Sequence, residues 1–131
     1  MISEQENTDN RTNVKNNWKL GPEKTSQNPM DNKDYWDSMS KVWGVPVIEA
    51  RAMLCANCEY YDNTKDMQIE MLSIPLDSFD TDGGGRGFCE KFDFICHNLR
   101  TCQAWEDKSI IDGMKEEVFK SFIVDTIKNS K

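Results

Sequence analysis

The clearest periodicity lies near the end of the chain. Between Ile110 and Lys128, Ile111, Met114, Val118 and Phe122 recur at helical spacing, with Phe119, Ile123 and Ile127 beside them. This predicts an amphipathic helix with a wide apolar stripe. A shorter stripe of Tyr35/Trp36, Met39 and Val42/Trp43 predicts a helix over Asp34–Trp43, ended by Gly44, with Trp36 and Trp43 as core or lid residues. Pro46 then stands at the first position of a second helix, Val47 to Leu54, which would deliver Cys55 and Cys58 at its C-terminal end. Thr64 to Leu72 fits a further short helix before Pro75, and Phe88 to Phe94 fits a short strand or hairpin arm. Asp82-Gly83-Gly84-Gly85-Arg86-Gly87 predicts a turn and lacks the Lys-Ser/Thr ending of a phosphate loop. Its glycines let the chain reverse or let backbone approach a site.

Residues 1–33 show neither a helical nor a strand period. They are rich in Asn, Lys, Glu, Thr and Ser, with Trp18, Leu20 and Met30 scattered among them. Such a segment predicts a polar extended arm that orders only against its neighbours. The expected organisation is therefore an arm over 1–33, a small irregular, loop-rich α+β domain over 34–106, and a C-terminal segment over 107–131 carrying the amphipathic helix. A domain this small is marginal on burial alone, and with 131 residues and a mean hydropathy of −0.73 the chain calls for a metal, disulfides or a partner.

Charge narrows the function classes. The formal net charge is −7, and residues 59–93 carry nine acids against Lys65, Arg86 and Lys91. A phosphate backbone requires stripes of Lys and Arg, so nucleic-acid binding is not expected. The acids read as a solvated loop or as a patch that docks a basic partner. The opening MISEQENTDN has no apolar signal-peptide core, and no run approaches the ~20 apolar residues of a membrane span. The expectation is a protein that is not secreted, has no membrane span and stays in a reducing compartment. One His, no paired carboxylates in a recognisable frame and no Ser/His/Asp order leave no catalytic constellation, so an enzyme is not expected.

The five cysteines carry the chemistry. Cys55-Ala56-Asn57-Cys58 places two thiolates on one tight turn, and Cys89, Cys96 and Cys102 follow about thirty residues later. Two thiolates from each half would complete a four-sulfur cage. An odd count without an export signal argues against a disulfide framework. A paired zinc knuckle is incomplete, because the second half spaces its cysteines by six, five or, skipping Cys96, twelve intervening residues. Zinc stays open as an alternative to an iron–sulfur cluster, which accepts long and unequal ligand spacing because the chain wraps around it. A Rieske centre needs two histidines and is excluded. His97 is expected at the surface or in a hydrogen bond. Phe88, Phe92, Phe94, Tyr60, Tyr61 and Trp105 lie within a few positions of the cysteines and offer apolar cover.

Three short motifs resemble known segments. Cys55-Ala56-Asn57-Cys58-Glu59-Tyr60-Tyr61 resembles the first ligand turn of high-potential iron–sulfur proteins (HiPIPs), Gly87-Phe88-Cys89-Glu90-Lys91-Phe92 their third-ligand segment, and Cys102-Gln103-Ala104-Trp105 their last. The resemblance covers about residues 52–106. It implies a HiPIP-like domain organised around a 4Fe–4S cluster held by Cys55, Cys58, Cys89 and Cys102. Cys96 would be a spare buried thiol, or would replace Cys89 or Cys102. A second resemblance covers all five cysteines: the Arg51-Ala52-Met53-Leu54-Cys55-Ala56-Asn57-Cys58 turn, the Gly87-Phe88-Cys89 segment and Arg100-Thr101-Cys102-Gln103-Ala104-Trp105 look like small cysteine proteins encoded among the structural genes of tailed bacteriophages. It implies a virion structural protein, made in the host cytoplasm, whose cluster is a structural staple. Its partners would be other virion subunits, met through residues 1–33 and Ile110–Lys128. A soluble one-electron carrier of HiPIP type and a zinc-stabilised interaction module are the alternatives.

Overall fold

The computed structural model describes residues 1–108, and a three-stranded antiparallel sheet lies at its centre. The strands are β1 (Tyr61–Asp62), β2 (Arg86–Cys89) and β3 (Phe94–His97), in that spatial order. β2 and β3 form a hairpin in which Gly87 faces Cys96, Phe88 faces Ile95 and Cys89 faces Phe94. Strand side chains alternate between faces, so this register sorts the residues cleanly. Phe88 and Ile95 pack with Met71 and Ile74 on one side. Phe94 and Cys96 pack on the other with Val14, Leu20, Tyr61 and Phe79, and Cys89 lies against that cluster. Both faces are covered, which is why Phe88-Cys89 and Phe94-Ile95-Cys96 are apolar at successive positions rather than in alternation.

Five helices surround the sheet among the described residues. The expected helix over Asp34–Trp43 is present as α2 (Lys33–Trp43). Gly44 ends it in the left-handed region at φ 67°, its N–H bonding to the Lys41 and Ser40 carbonyls. Trp36 and Met39 of α2 are buried against Ala50. The expected helix over Val47–Leu54 is shorter: α3 runs only from Val47 to Ala50. After it the bonds tighten, from Ala52 N to Glu49 O and from Met53 N to Ala50 O, and Leu54 is extended. The Asn57 side chain competes for the freed backbone, donating to Ala52 O and accepting from Leu54 N. α4 (Lys65–Met71) matches the expected helix after Thr64, whose hydroxyl caps it. α5 (Ser78–Thr81) starts at Asp77, which accepts from Phe79 N and Asp80 N.

Residues 1–33 are not the extended arm that their polarity predicts. Glu4–Asn17 form α1, opened by a Ser3/Glu6 capping box. Only Asn7 and Val14 of this helix are buried. It is held by tertiary contacts instead of an apolar stripe: Asn7 Oδ1 accepts from Ile95 N at 2.7 Å, and Asn10 Nδ2 donates to Asp93 O at 2.7 Å. These bonds close the open edge of β3. The amphipathic helix expected over Ile110–Lys128 lies outside the described residues. Among the described residues no helix is long and apolar enough to cross a membrane.

Candidate metal centre

All five cysteines line one cavity, although they arrive from separate parts of the chain. Cys55 sits on a 3-10 turn (Cys55–Asn57), with Cys58 immediately after it. Cys89 ends β2, Cys96 lies in β3 and Cys102 lies in the following loop. The cavity measures about 20 Å³, and Leu20, Tyr60, Tyr61, Phe92, Phe94 and Trp105 supply most of its carbon lining. Cys55, Cys58 and Cys96 are buried, and Cys89 and Cys102 are half-buried. Lys91 stands at the exposed rim, with its ammonium 5.2 Å from the centre of the Tyr60 ring and 5.7 Å from that of Phe92.

Backbone pairing explains why the segments converge. Cys55 N donates to Arg100 O at 2.6 Å and Ala56 N to Asn98 O at 3.3 Å, so the first cysteine turn hangs on the chain that leaves β3. Glu59 N donates to Glu106 O at 2.9 Å and Glu90 N to Tyr60 O at 2.8 Å. The Trp105 indole N–H is shared between Leu54 O and Asn57 Oδ1, both at 2.9 Å, tying the last motif to the first. From the N-terminal side, Gly21 and Thr101 exchange both backbone bonds, and Gln103 N donates to Trp18 O at 2.6 Å. Trp43 Nε1 donates to Gln103 O from the end of α2. Gly87 allows one further approach: a Cβ there would lie 2.1 Å from the Tyr61 ring.

Burial pushes the thiols up: Cys58 is raised, Cys89 and Cys102 reach about 12, and Cys96 lies well above the ordinary value. Mutual repulsion among the sulfurs adds to the effect. Backbone N–H groups work in the opposite direction. Those of Glu106 and Tyr60 favour the Cys58 thiolate, those of Phe92 and Lys91 the Cys89 thiolate, and that of Ala104 the Cys102 thiolate. For Cys96, burial acts together with the neighbouring Cys55, Cys89 and Cys58 sulfurs, all in the raising direction. Amide donors that serve only a charged sulfur, set in an apolar cavity that disfavours charge, fit a bound cationic centre. Thr101 adds a second sign. It lines the cavity, is fully buried, and its hydroxyl has no hydrogen-bond partner. Among the described residues no three Cys, His, Asp or Glu side chains converge closely enough to hold one metal ion.

Cys55, Cys58, Cys89 and Cys102 are thus brought together, along with Cys96. Of the aromatic residues expected to cover them, Phe88 does not; it faces the opposite side of the sheet. His97 is buried and hydrogen-bonded. Its Nε2 meets Asp80 Oδ1 at 2.8 Å, and its Nδ1 accepts from Arg100 Nη1 at 2.7 Å. A guanidinium only donates, so the imidazole proton sits on Nε2. Asp80 also takes a two-pronged bond from Arg86, through Nε at 2.8 Å and Nη2 at 2.9 Å. It is therefore no part of a solvated acidic loop. Arg100 is fully buried over the Phe79 ring and donates to Pro22 O, Glu23 O and Phe79 O. Sequence reasoning missed this network and the parts played by Leu20, Asn57 and Thr101. Only the adjacency of Arg100 and Thr101 to Cys102 hinted at them. No protein-family model, curated protein or solved structure matches the chain.

Proposed function

We propose that Cys55, Cys58, Cys89 and Cys102 hold a 4Fe–4S cluster, and that the cluster staples a small structural protein of a tailed-phage particle. The observation that carries the site is the convergence of all the cysteines on one apolar cavity. The amides at Cys58, Cys89 and Cys102 support the ligand choice, with Cys55 coming from the same turn as Cys58. Cys96 is set apart because its environment favours the thiol and not the thiolate. The unequal spacing of Cys89 and Cys102 after the Cys55–Cys58 turn suits a cubane, around which the chain wraps, better than a pair of zinc knuckles. A bound cluster supplies a multivalent positive centre that ties distant segments into one folding unit. The phage assignment rests on the motif order, with neighbouring virion subunits as partners through exposed parts of residues 1–33 and through Ile110–Lys128. The reading includes no catalysis.

A one-electron carrier is the second reading. It is favoured by the half-burial of Cys89 and Cys102, which brings one edge of the site near the surface. Anaerobic purification followed by iron, sulfide and zinc analysis tests the site. About four irons and four sulfides per chain are expected for a cubane; one zinc and no sulfide overturns it. Mass spectrometry of purified particles tests the assembly role. A reversible redox wave in a protein absent from particles would favour the carrier.

A further inference from the structure

Thr101 immediately precedes the cysteine that ends the ligand series, and its polar groups are unequally used. Its N–H donates to Gly21 O at 2.8 Å. Its carbonyl accepts from Gly21 N at 3.0 Å and from the Tyr35 hydroxyl at 3.3 Å. The residue is 0% exposed, yet Oγ1 has no hydrogen-bond partner, whether oxygen, nitrogen or sulfur. It is the only buried side-chain nitrogen or oxygen left in that condition among the described residues.

A buried hydroxyl without a partner is unfavourable, and valine would fill the same volume without that cost. The space beside Thr101 is the cysteine cavity. An ordered water needs two or more polar partners, and the interior wall offers mainly carbon and thiol groups. The neighbouring side chains leave no protein acceptor. Arg100 is committed to carbonyls and to His97, and no cysteine sulfur takes the hydroxyl proton. The acceptor this geometry suits is one that arrives with the bound group.

We propose that the Thr101 hydroxyl donates a hydrogen bond to an inorganic sulfide of the cluster, making Thr101 a positioning and potential-tuning residue. The inference rests on the 4Fe–4S reading given above. Sulfide carries more negative charge when the cluster is reduced, so the bond is stronger in that state and raises the reduction potential. It also anchors the cluster beside the strand-like pairing of Gly21 with Thr101, which orients Cys102.

The test uses the full chain, purified anaerobically with its iron. Thr101→Val removes the donor at constant volume, and Thr101→Ser keeps it. In Thr101→Val the reduced-to-oxidised ratio at fixed potential is expected to fall about tenfold, which is about 59 mV for a one-electron couple. Thr101→Ser restores most of the shift. Wild-type protein, with no substitution, should show bridging-sulfide stretching bands that move on transfer to D2O, and Thr101→Val should lose that movement while the iron–thiolate bands, which the backbone N–H groups at Cys58, Cys89 and Cys102 serve, keep theirs. Unchanged potential and unchanged isotope sensitivity in an iron-loaded Thr101→Val protein overturn the hydrogen bond while leaving the cluster reading intact. If wild-type protein contains zinc and no sulfide, both fall together. If Thr101→Val fails to fold, Thr101→Ala is measured in its place: a lowered potential with loss of the bridging-sulfide isotope shift supports the proposal, and an unchanged potential and isotope shift overturn it.

Discussion

Cys89 and Cys96 reach the same cavity from adjacent strands, but their surroundings differ. Cys89 ends β2, where the chain turns and the N–H groups of Lys91 and Phe92 come round to its sulfur. Cys96 is inside β3, opposite Gly87 of β2, and burial raises its thiol well above the ordinary value. Cys96→Ala should keep the full iron and sulfide content, at a stability cost of about 1 kcal/mol for the small space created. Cys89→Ala should lose most of both. Metal analysis with the visible spectrum decides, and loss of iron in Cys96→Ala would place Cys96 among the ligands. The cysteines were legible because a C-x-x-C turn and its aromatic neighbours are local patterns. Thr101 was not, since its meaning depends on an unpaired oxygen that no spacing reveals. Asn57 was equally hidden, because its side chain acts on Ala52, Leu54 and Trp105 at once.

At the scale of elements, α1 and the hairpin depend on each other. Ile95 is 1% exposed, and its backbone N–H has the Asn7 side chain as its partner across 88 residues of sequence. Asn7→Ala should therefore lower unfolding stability by about 1–3 kcal/mol, because it leaves a buried donor unsatisfied. Chemical denaturation measures the change. A loss within about 0.5 kcal/mol, the usual size for exposed substitutions, would show that water replaces the side chain. α2 was legible from its complete apolar stripe and Gly44, whereas α1 shows no stripe because only Asn7 and Val14 are buried. The fold class was legible in part: a small mixed α+β protein is present, but Phe88–Phe94, expected as a short strand or one hairpin arm, holds the end of β2, the turn and the start of β3. The register was not legible. Nothing local in Gly87-Phe88-Cys89 says that Phe88 turns from the cysteines while Gly87 makes room for Tyr61.

Across the whole molecule, the Asp80–His97–Arg100 network does what no single element does. It links α5, β3, the β2 arginine Arg86 and the Pro22–Glu23 segment. Its charge state therefore bears on the packing of parts that are distant in sequence. Burial lowers the His97 pKa and outweighs the opposing hydrogen bond from Asp80; the Arg100 charge acts in the same lowering direction. Burial disfavours the Asp80 anion, but bonds from His97, Arg86 and the Asp77 N–H prevail and hold it ionised well below the carboxylate range. Both folded values are thus depressed, so both contributions to stability are present above the unfolded values and fade as the pH falls. For His97 the fade begins below its ordinary value of 6.5 and runs down through the folded value; for Asp80 it begins only below 3.8. Between pH 6.5 and 5, His97 is accordingly the group that matters in this network. Each proton taken up only on unfolding steepens the loss by at most about 1.4 kcal/mol per pH unit. His97→Gln lacks that titration, so its melting temperature should fall less steeply than wild type over this interval, whatever its absolute stability. Measuring both proteins with the same metal content cancels any acid sensitivity of the cysteine site itself. Parallel curves would mean that His97 enters the unfolded and folded states with the same proton affinity, and that the network is held by Arg86 and Asp80 alone.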